Sequence, residues 1–338
     1  MAERARPAPL IGVVDPAGRE TPFGSYAAVA STGQSLLAAE LSQRLGAMGA
    51  AVLRLEPKAP EAAAFHWGRW YAAGMRAGAG EVDAIGYAGA GAVALLEDAG
   101  LDDLLSPIAG EVVANNRYSA DAFCVAGDVG AVLRTLEAAD SDNAAVRRLE
   151  DSGFTSRDLR GVPWSRFDVD TPLDLALLRL ATRLPANRHL DEQVAGFLEM
   201  ATLPGGGRLE VPHLEALGDV IRDRSAELVV AGRVPASTLA HLETETACRV
   251  RAFVEERGMR SARDARPRSL LADWIQRLGP ADLVRELASL GDAARVGTPW
   301  LRELTEAAAQ ASVPVLLGGH ALVSDGLRIV VDAAWLGR

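Results

Sequence analysis

Cysteine is scarce in this chain: 338 residues contain two, Cys124 and Cys248. Two thiols in apolar or β-branched surroundings cannot build a disulfide framework or a structural zinc site, so both read as buried structural groups. Histidine is scarce as well, with five. Neither His241 nor His320 has a partner at metal-ligand spacing, and both read as structural or surface residues. No Ser-His or Cys-His triad is evident, which disfavours hydrolysis by an activated nucleophile. No apolar run approaches eighteen residues, so no membrane span is expected. Met1–Pro9 holds Glu3, Arg4 and Arg6, and no apolar stretch of signal-peptide length precedes Asp15. The expected location is cytoplasmic. A basic surplus is also missing, because the formal net charge is -10. An acidic surface repels phosphate backbones, so nucleic acid is not an expected partner, whereas one local pocket for a single nucleotide is compatible with that charge.

What is present suits a globular α/β protein. Hydrophobic residues make up 49% and charged residues 24%, while aromatics are only 5%. Abundant Ala and Gly fit helices packed closely on a sheet. The length exceeds one typical compact core and predicts two regions, 1–186 and an α/β region 187–338, with a linker at Pro185–Arg188. Short apolar runs ended by Gly, Pro or Asp read as strands, at Pro9–Val14, Ala50–Leu55, Val82–Tyr87, Glu111–Ala114, Asp121–Val125 and Phe167–Val169. Helical spacing marks Gln34–Met48, Ala59–Ala77, Ala92–Leu105, Val129–Ala139, Asn143–Asp151 and Pro172–Leu184. Such alternation predicts a doubly wound, mostly parallel sheet, with ligands at the carboxyl ends of its strands. Beyond it, His189–Met200, Ala236–Glu245 and Leu270–Leu290 read as helical, and Leu228–Val230, Cys248–Val254, Val313–Leu317 and Leu327–Val331 as strands. Leu203–Arg208 and the Arg-rich Arg257–Arg268 read as loops. Glu243, Glu245, Arg249, Arg251, Glu255, Glu256 and Arg257 read as a surface ion-pair network.

The most specific motif is Phe167–Leu175, FDVDTPLDL. Asp168 and Asp170, one residue apart on an extended end, project to the same side and can together hold a Mg²⁺ that bridges phosphate oxygens. The same stretch also reads as a helix start, with Asp170 or Thr171 as N-cap, Pro172 in the first turn and Asp174 at the positive helix end. That second reading accounts for Thr171, Pro172 and Asp174 and leaves Asp168 unexplained. Upstream, Val112–Asp121 (VVANNRYSAD) puts Asn115, Asn116 and Tyr118 after a strand. There they are placed to contact a base, sugar or phosphate, or to supply the turn chemistry that asparagine pairs commonly provide.

The motif resembles the late Asp-x-Asp-Thr-Pro-x-Asp-Leu stretch of the MobA-like and phospholactate-guanylyltransferase-like nucleotidyltransferases, and the resemblance covers about residues 9–184. It implies the nucleotide-diphospho-sugar transferase type of sheet. The implied activity is transfer of a nucleotidyl group from an NTP to a small acceptor, with Mg²⁺ held by Asp168 and Asp170. The helix entered at Asn143 matches one that follows a substrate-contacting loop in that family. The family's phosphate loop aligns with Ala17–Ser25, which makes Gly18, Arg19, Thr21 and Gly24 nucleotide contacts. This chain departs from the pattern there: Glu20 stands where a small residue is usual, and Pro22 replaces an arginine and removes a backbone donor. It departs again at Gly86–Gly91, which has no acid where relatives carry a first metal ligand. The alternative that these departures leave open is a catalytically degenerate module that binds a nucleotide or phosphorylated metabolite.

Overall fold

The computed structural model describes residues 8–16, 25–56, 65–78, 80, 82–185, 190–202, 212–254, 259–261, 264–268 and 321–336, together with the single positions 209, 277, 279, 307, 310 and 316. Contacts divide the chain into two compact units. The first is Met1–Thr21, Ala30–Val169 and His189–Val194; the second is Pro22–Val29, Asp170–Arg188 and Ala195–Arg338.

The first unit is built on six strands: β1 (Leu10–Val14), β2 (Ala51–Leu55), β3 (Ala84–Ala88), β4 (Glu111–Ala114), β5 (Ala122–Ala126) and β6 (Thr155–Asp158). They lie in the order β2-β1-β3-β5-β4-β6. β1 runs parallel to β2 and β3, and β4 parallel to β6, while β5 is antiparallel to both β3 and β4. The sheet is therefore mixed. The reversal follows from chain length, because only 115–121 separates β4 from β5. A parallel crossover needs a dozen or more residues, so a hairpin is the available connection.

Five helices cover the sheet: α1 (Ser25–Ala47), α2 (Trp67–Gly78), α3 (Asp98–Leu104), α4 (Val129–Glu137) and α5 (Asp142–Asp151). The period of two along each strand sends successive side chains to opposite faces. Leu10, Val14, Ile85, Tyr87, Phe123 and Val125 join Trp67, Tyr71, Met75, Val132, Leu136 and Leu149 of α2, α4 and α5. Ile11, Val13, Ala84, Ala88, Val113 and Cys124 join Leu41, Leu45, Leu101 and Leu104 of α1 and α3. β1, β3 and β5 are buried throughout, as apolar runs covered on both faces should be.

The second unit carries α6 (Pro172–Ala181), α8 (Pro212–Arg222) and α9 (Ala236–Glu245), with α7 (Glu192–Met200) starting in the first unit. β7 (Glu227–Gly232) and β8 (Arg249–Val254) form a parallel pair connected through α9. Arg249 and Arg251 on β8 both reach Glu227 on β7, at 3.8 and 3.1 Å. A π-type turn, Leu322–Gly326, leads into α10 (Leu327–Ala334), which packs against α6, α8 and α9.

Several elements differ from the sequence reading. Leu327–Val331 is helical: its β-branched run suits a strand, but Leu327, Ile329, Val330 and Val331 are all buried in one tertiary environment, and packing overrides propensity. The Ala92–Leu105 helix is reduced to Asp98–Leu104, because Val93 takes a left-handed φ of 51° that a helix does not allow. Phe167–Val169 lies outside the sheet. The Arg-rich stretch contains two short antiparallel strands, β9 (Met259–Ser261) and β10 (Asp264–Arg268), where a loop is expected. β6 has no counterpart in the sequence reading. Leu203–Arg208 and nearly all of Leu270–Leu290 and Val313–Leu317 lie outside the described residues. No described helix is long and apolar enough to cross a membrane.

α2 and α4 approach very closely at Gly68, where a Cβ would sit 2.1 Å from the Leu136 carbonyl oxygen and 2.7 Å from that of Ala139. Gly68→Ala should destabilise the protein by about 1–3 kcal/mol through overpacking against rigid backbone. Urea denaturation reads this directly, and an unchanged midpoint would show that α2 and α4 do not meet there.

Candidate functional site

β1, β3, β4 and β6 all end at the same edge of the sheet. β1 pairs with β2 on one side and β3 on the other, so the strand order reverses at β1. In open α/β sheets such a reversal leaves a crevice outside the carboxyl ends. Two chain segments close over this edge. One is the turn after β3, Gly89–Val93, and the other is the stretch Trp164–Val169 that carries the first half of the aspartate motif.

The Val169 N–H donates to the Gly91 carbonyl at 3.2 Å, and the Gln34 side chain on α1 donates to the Val169 carbonyl at 2.6 Å. Gly91 has φ 77°, and a Cβ there would lie 2.7 Å from the Val169 oxygen. Only glycine meets both demands. Ser31, also on α1, donates to the Pro16 carbonyl just beyond β1 at 3.2 Å. The Gly89 N–H donates to the Asp121 carbonyl at 2.7 Å, tying the β3 turn to the start of β5. Each closing segment holds a non-glycine residue at positive φ: Val93 at 51° and Trp164 at 63°. Both are buried, at 1% and 7% exposure. Left-handed backbone is costly, above all for a β-branched residue, and persists only where surrounding structure enforces it.

No protein-family model, curated protein or solved structure matches this chain.

Of the residues singled out in the sequence, Asn115, Asn116, Tyr118, Asn143 and Asp168 are all found in the first unit near this edge. Asn115 is buried, and its carboxamide accepts from the Ala122 N–H at 3.0 Å and donates to the Ser165 carbonyl at 3.1 Å. It thereby pins the β4–β5 loop to the segment leading into Asp168. Asn116 Oδ1 accepts from the Tyr118 N–H, which is the expected turn chemistry. Ser119 Oγ donates to Asn143 Oδ1 at 2.6 Å. The Tyr118 ring is half-exposed, with the Arg160 guanidinium 4.9 Å and that of Arg117 5.7 Å from its centre. Those guanidiniums also reach Asp158 and Glu150, at 2.5 and 2.8 Å. Asp168 is half-buried. Gly18, Arg19, Thr21 and Gly24 lie outside the described residues.

The helix-start reading of the motif holds in detail. Thr171 is the N-cap of α6, Pro172 occupies the first turn, and Asp174 completes a capping box. Asp174 Oδ2 accepts from the N–H groups of Asp170 and Thr171 and from the Thr171 hydroxyl. Burial pushes its carboxyl up to about 6 against those three donors. Asp170 is exposed and Asp168 half-buried.

The sequence reading did not single out Val93, Trp164, Gln34, Asp121 or the Arg117–Arg160 pair. Asp121 and Arg117 lie within the NNRYSAD stretch and were accessible to it. The backbone strain and the Gln34 bond have no sequence signature. On the inner side of the edge, burial and then the Asp142 carboxylate raise the Tyr87 phenol above its ordinary range. Among the described residues no group of three or more His, Cys, Asp or Glu is arranged to hold a metal. A separate cavity in the second unit, about 60 Å³, is bordered by apolar side chains, among them Leu217, Leu228, Val230, Leu322, Val323 and Leu327. It lacks the convergent polar groups that mark a site for a polar ligand.

Asn115→Ala should leave the Ala122 N–H and the Ser165 carbonyl without their partner and cost about 1–3 kcal/mol. Asn115→Asp keeps the acceptor for Ala122 but sets a buried carboxyl oxygen against the Ser165 carbonyl, so it should cost at least as much at neutral pH and less in acid, where the carboxyl takes up a proton. Guanidinium denaturation of both variants measures this; a neutral Asn115→Ala would remove the pin from the description.

Proposed function

We propose that the first unit is a nucleotidyltransferase-like module that binds a nucleoside triphosphate, with Mg²⁺, in the crevice at the carboxyl ends of β1 and β3. The observation that carries this reading is the pair of buried left-handed residues, Val93 and Trp164, in the two segments that meet there. Strain of this kind collects at ligand clamps and active sites, where rigid surroundings hold a preorganised shape. The position supports it too, since the strand order reverses at β1 and open α/β sheets take their ligands at carboxyl ends near such reversals. The resemblance of the Phe167–Leu175 motif supplies the ligand class and the nucleotide-diphospho-sugar transferase type of fold.

In this reading Asp168 and Asp170 are the carboxylates for Mg²⁺. A magnesium ion keeps several waters and uses one or two carboxylates plus the substrate's phosphate oxygens. Two acids flanking Val169 fit that demand without a third protein ligand. The ion would supply charge neutralisation on the triphosphate. Gly18, Arg19, Thr21 and Gly24 would face the phosphates, and Asn116, Tyr118 and Asn143 the nucleoside or the acceptor. An oxygen of a small acceptor attacks the α-phosphorus, the bond to the bridging oxygen breaks, and pyrophosphate leaves. Positioning and electrostatics carry such chemistry.

A second reading has its own support. Glu20 and Pro22 depart from the family's phosphate-loop sequence, and Gly89–Gly91 brings no acid to the β3 end. These favour a module that binds a nucleotide or phosphorylated metabolite without turning it over.

The test incubates the full chain with each of the four common NTPs, with and without Mg²⁺, and records thermal stabilisation and pyrophosphate release. One NTP should stabilise the protein in a Mg²⁺-dependent way, by about 2.7 kcal/mol at a hundredfold excess over Kd. Asp168→Asn should remove the Mg²⁺-dependent part. Stabilisation without pyrophosphate favours the binding module, and the absence of stabilisation by any NTP ends the nucleotide reading.

A further inference from the structure

Glu40 lies on α1 and is only 7% exposed. Neither of its carboxyl oxygens has a well-formed hydrogen bond. Arg44, one turn further along the helix, turns its guanidinium to α3, where Nη2 donates to Asp98 Oδ1 and to the Leu96 carbonyl, each at 2.7 Å. Among the described residues Asp191 also faces Glu40: its backbone N–H favours the carboxylate, and its own carboxylate adds a like charge. Asp191 Oδ1 in turn accepts from the Gln193 N–H at 2.6 Å, at the start of α7. His189–Val194 belongs to the first unit, although the chain on either side of it belongs to the second.

We propose that Glu40 is a proton-controlled latch for residues 190–194, which stay closed against α1 when its carboxyl is protonated and loosen when it ionises. A buried carboxylate with no well-formed hydrogen bond, whose neighbouring Arg44 is already bonded to Asp98, is disfavoured, and the system relieves the cost either by taking up a proton or by exposing the group. α1 is anchored on the sheet by Leu41 and Leu45, whereas the 190–194 stretch is short and brings Asp191 next to the new charge. The movable partner is therefore the stretch.

Burial raises the Glu40 carboxyl from 4.5 to about 7; Arg44 and the Asp191 N–H oppose the rise, and the Asp191 carboxylate adds to it. A raised value in the closed state means that protonation favours closure. That contribution is complete below about 4.5, falls as pH rises, and is gone once pH has passed about 7. Between those limits the closed-to-open ratio falls by about tenfold per pH unit, and above the upper limit it no longer changes.

Hydrogen exchange of the full chain, corrected for the intrinsic pH dependence of amide exchange, tests this. Protection of amides 190–194 should fall on the order of a hundredfold between about pH 5 and about pH 7 and then level off. Glu40→Gln, a neutral isostere, should hold the acid-side protection at every pH. Asp191→Asn removes the like charge and should narrow the fall. A carboxyl carbon NMR titration of the unmodified protein gives an independent reading, with a midpoint near 7 expected for Glu40. Protection that is flat with pH, a Glu40→Gln profile identical to that of the parent, or a Glu40 midpoint near 4.5 would each overturn the latch.

Discussion

The backbone bond from the Val169 N–H to the Gly91 carbonyl is the contact on which the carboxyl edge of the first unit depends. It brings the Trp164–Val169 stretch against the turn after β3. It demands a residue without a Cβ at 91, and with Gln34 donating to the Val169 carbonyl it fixes the two peptide groups that flank Val169. Asp168 takes its place from this bond, as it precedes a residue that cannot shift without breaking two hydrogen bonds. Asn115 works from the neighbouring strand end and holds Ser165 in the same stretch. Two strained residues are the cost of this tight closure, and the buried surroundings of Val93 and Trp164 enforce it.

The periodic parts of this architecture were legible in the sequence. Glu111–Ala114 and Ala236–Glu245 are found within the limits that their residues suggest, and the Thr171-Pro172 helix start is present with its reciprocal Asp174 bonds. Local chemistry sets these elements, so local reading recovers them. The reversal of β5 needed one further step of arithmetic on the length of the 115–121 connection. Val93 could not be anticipated, because its left-handed backbone is imposed by the segment docked across it and not by its own preference. Leu327–Val331 misleads for a related reason, as β-branched residues fill a helix surrounded by other helices as readily as they fill a strand. At the edge, the NNRYSAD loop drew notice for its asparagines, while the residue that organises it structurally, Asn115, does so through two bonds to distant backbone.

Three buried acidic or amide side chains show how polar groups are managed in this protein. Asn115 has its oxygen and nitrogen engaged, and Asp174 gathers three donors at one oxygen, so each stabilises the geometry around it. Glu40 is different. It is buried on a helix face without a well-formed hydrogen bond, and Arg44, which tempers its charge, is bonded to Asp98. Satisfied polar groups specify one arrangement; an unsatisfied one makes the arrangement depend on solution conditions.

The antiparallel β5 has an effect beyond strand direction. Because it runs against its neighbours, its first residue lies among the last residues of β3 and β4, and the hairpin that feeds it, 115–121, lies at the carboxyl edge. Loops at that rim otherwise come from long crossover units, whose alteration would disturb a whole helix. A hairpin can lengthen, shorten or exchange its side chains with little effect on the order of the sheet. This edge of the sheet therefore has one loop that can vary in length and side chains independently while the scaffold stays the same.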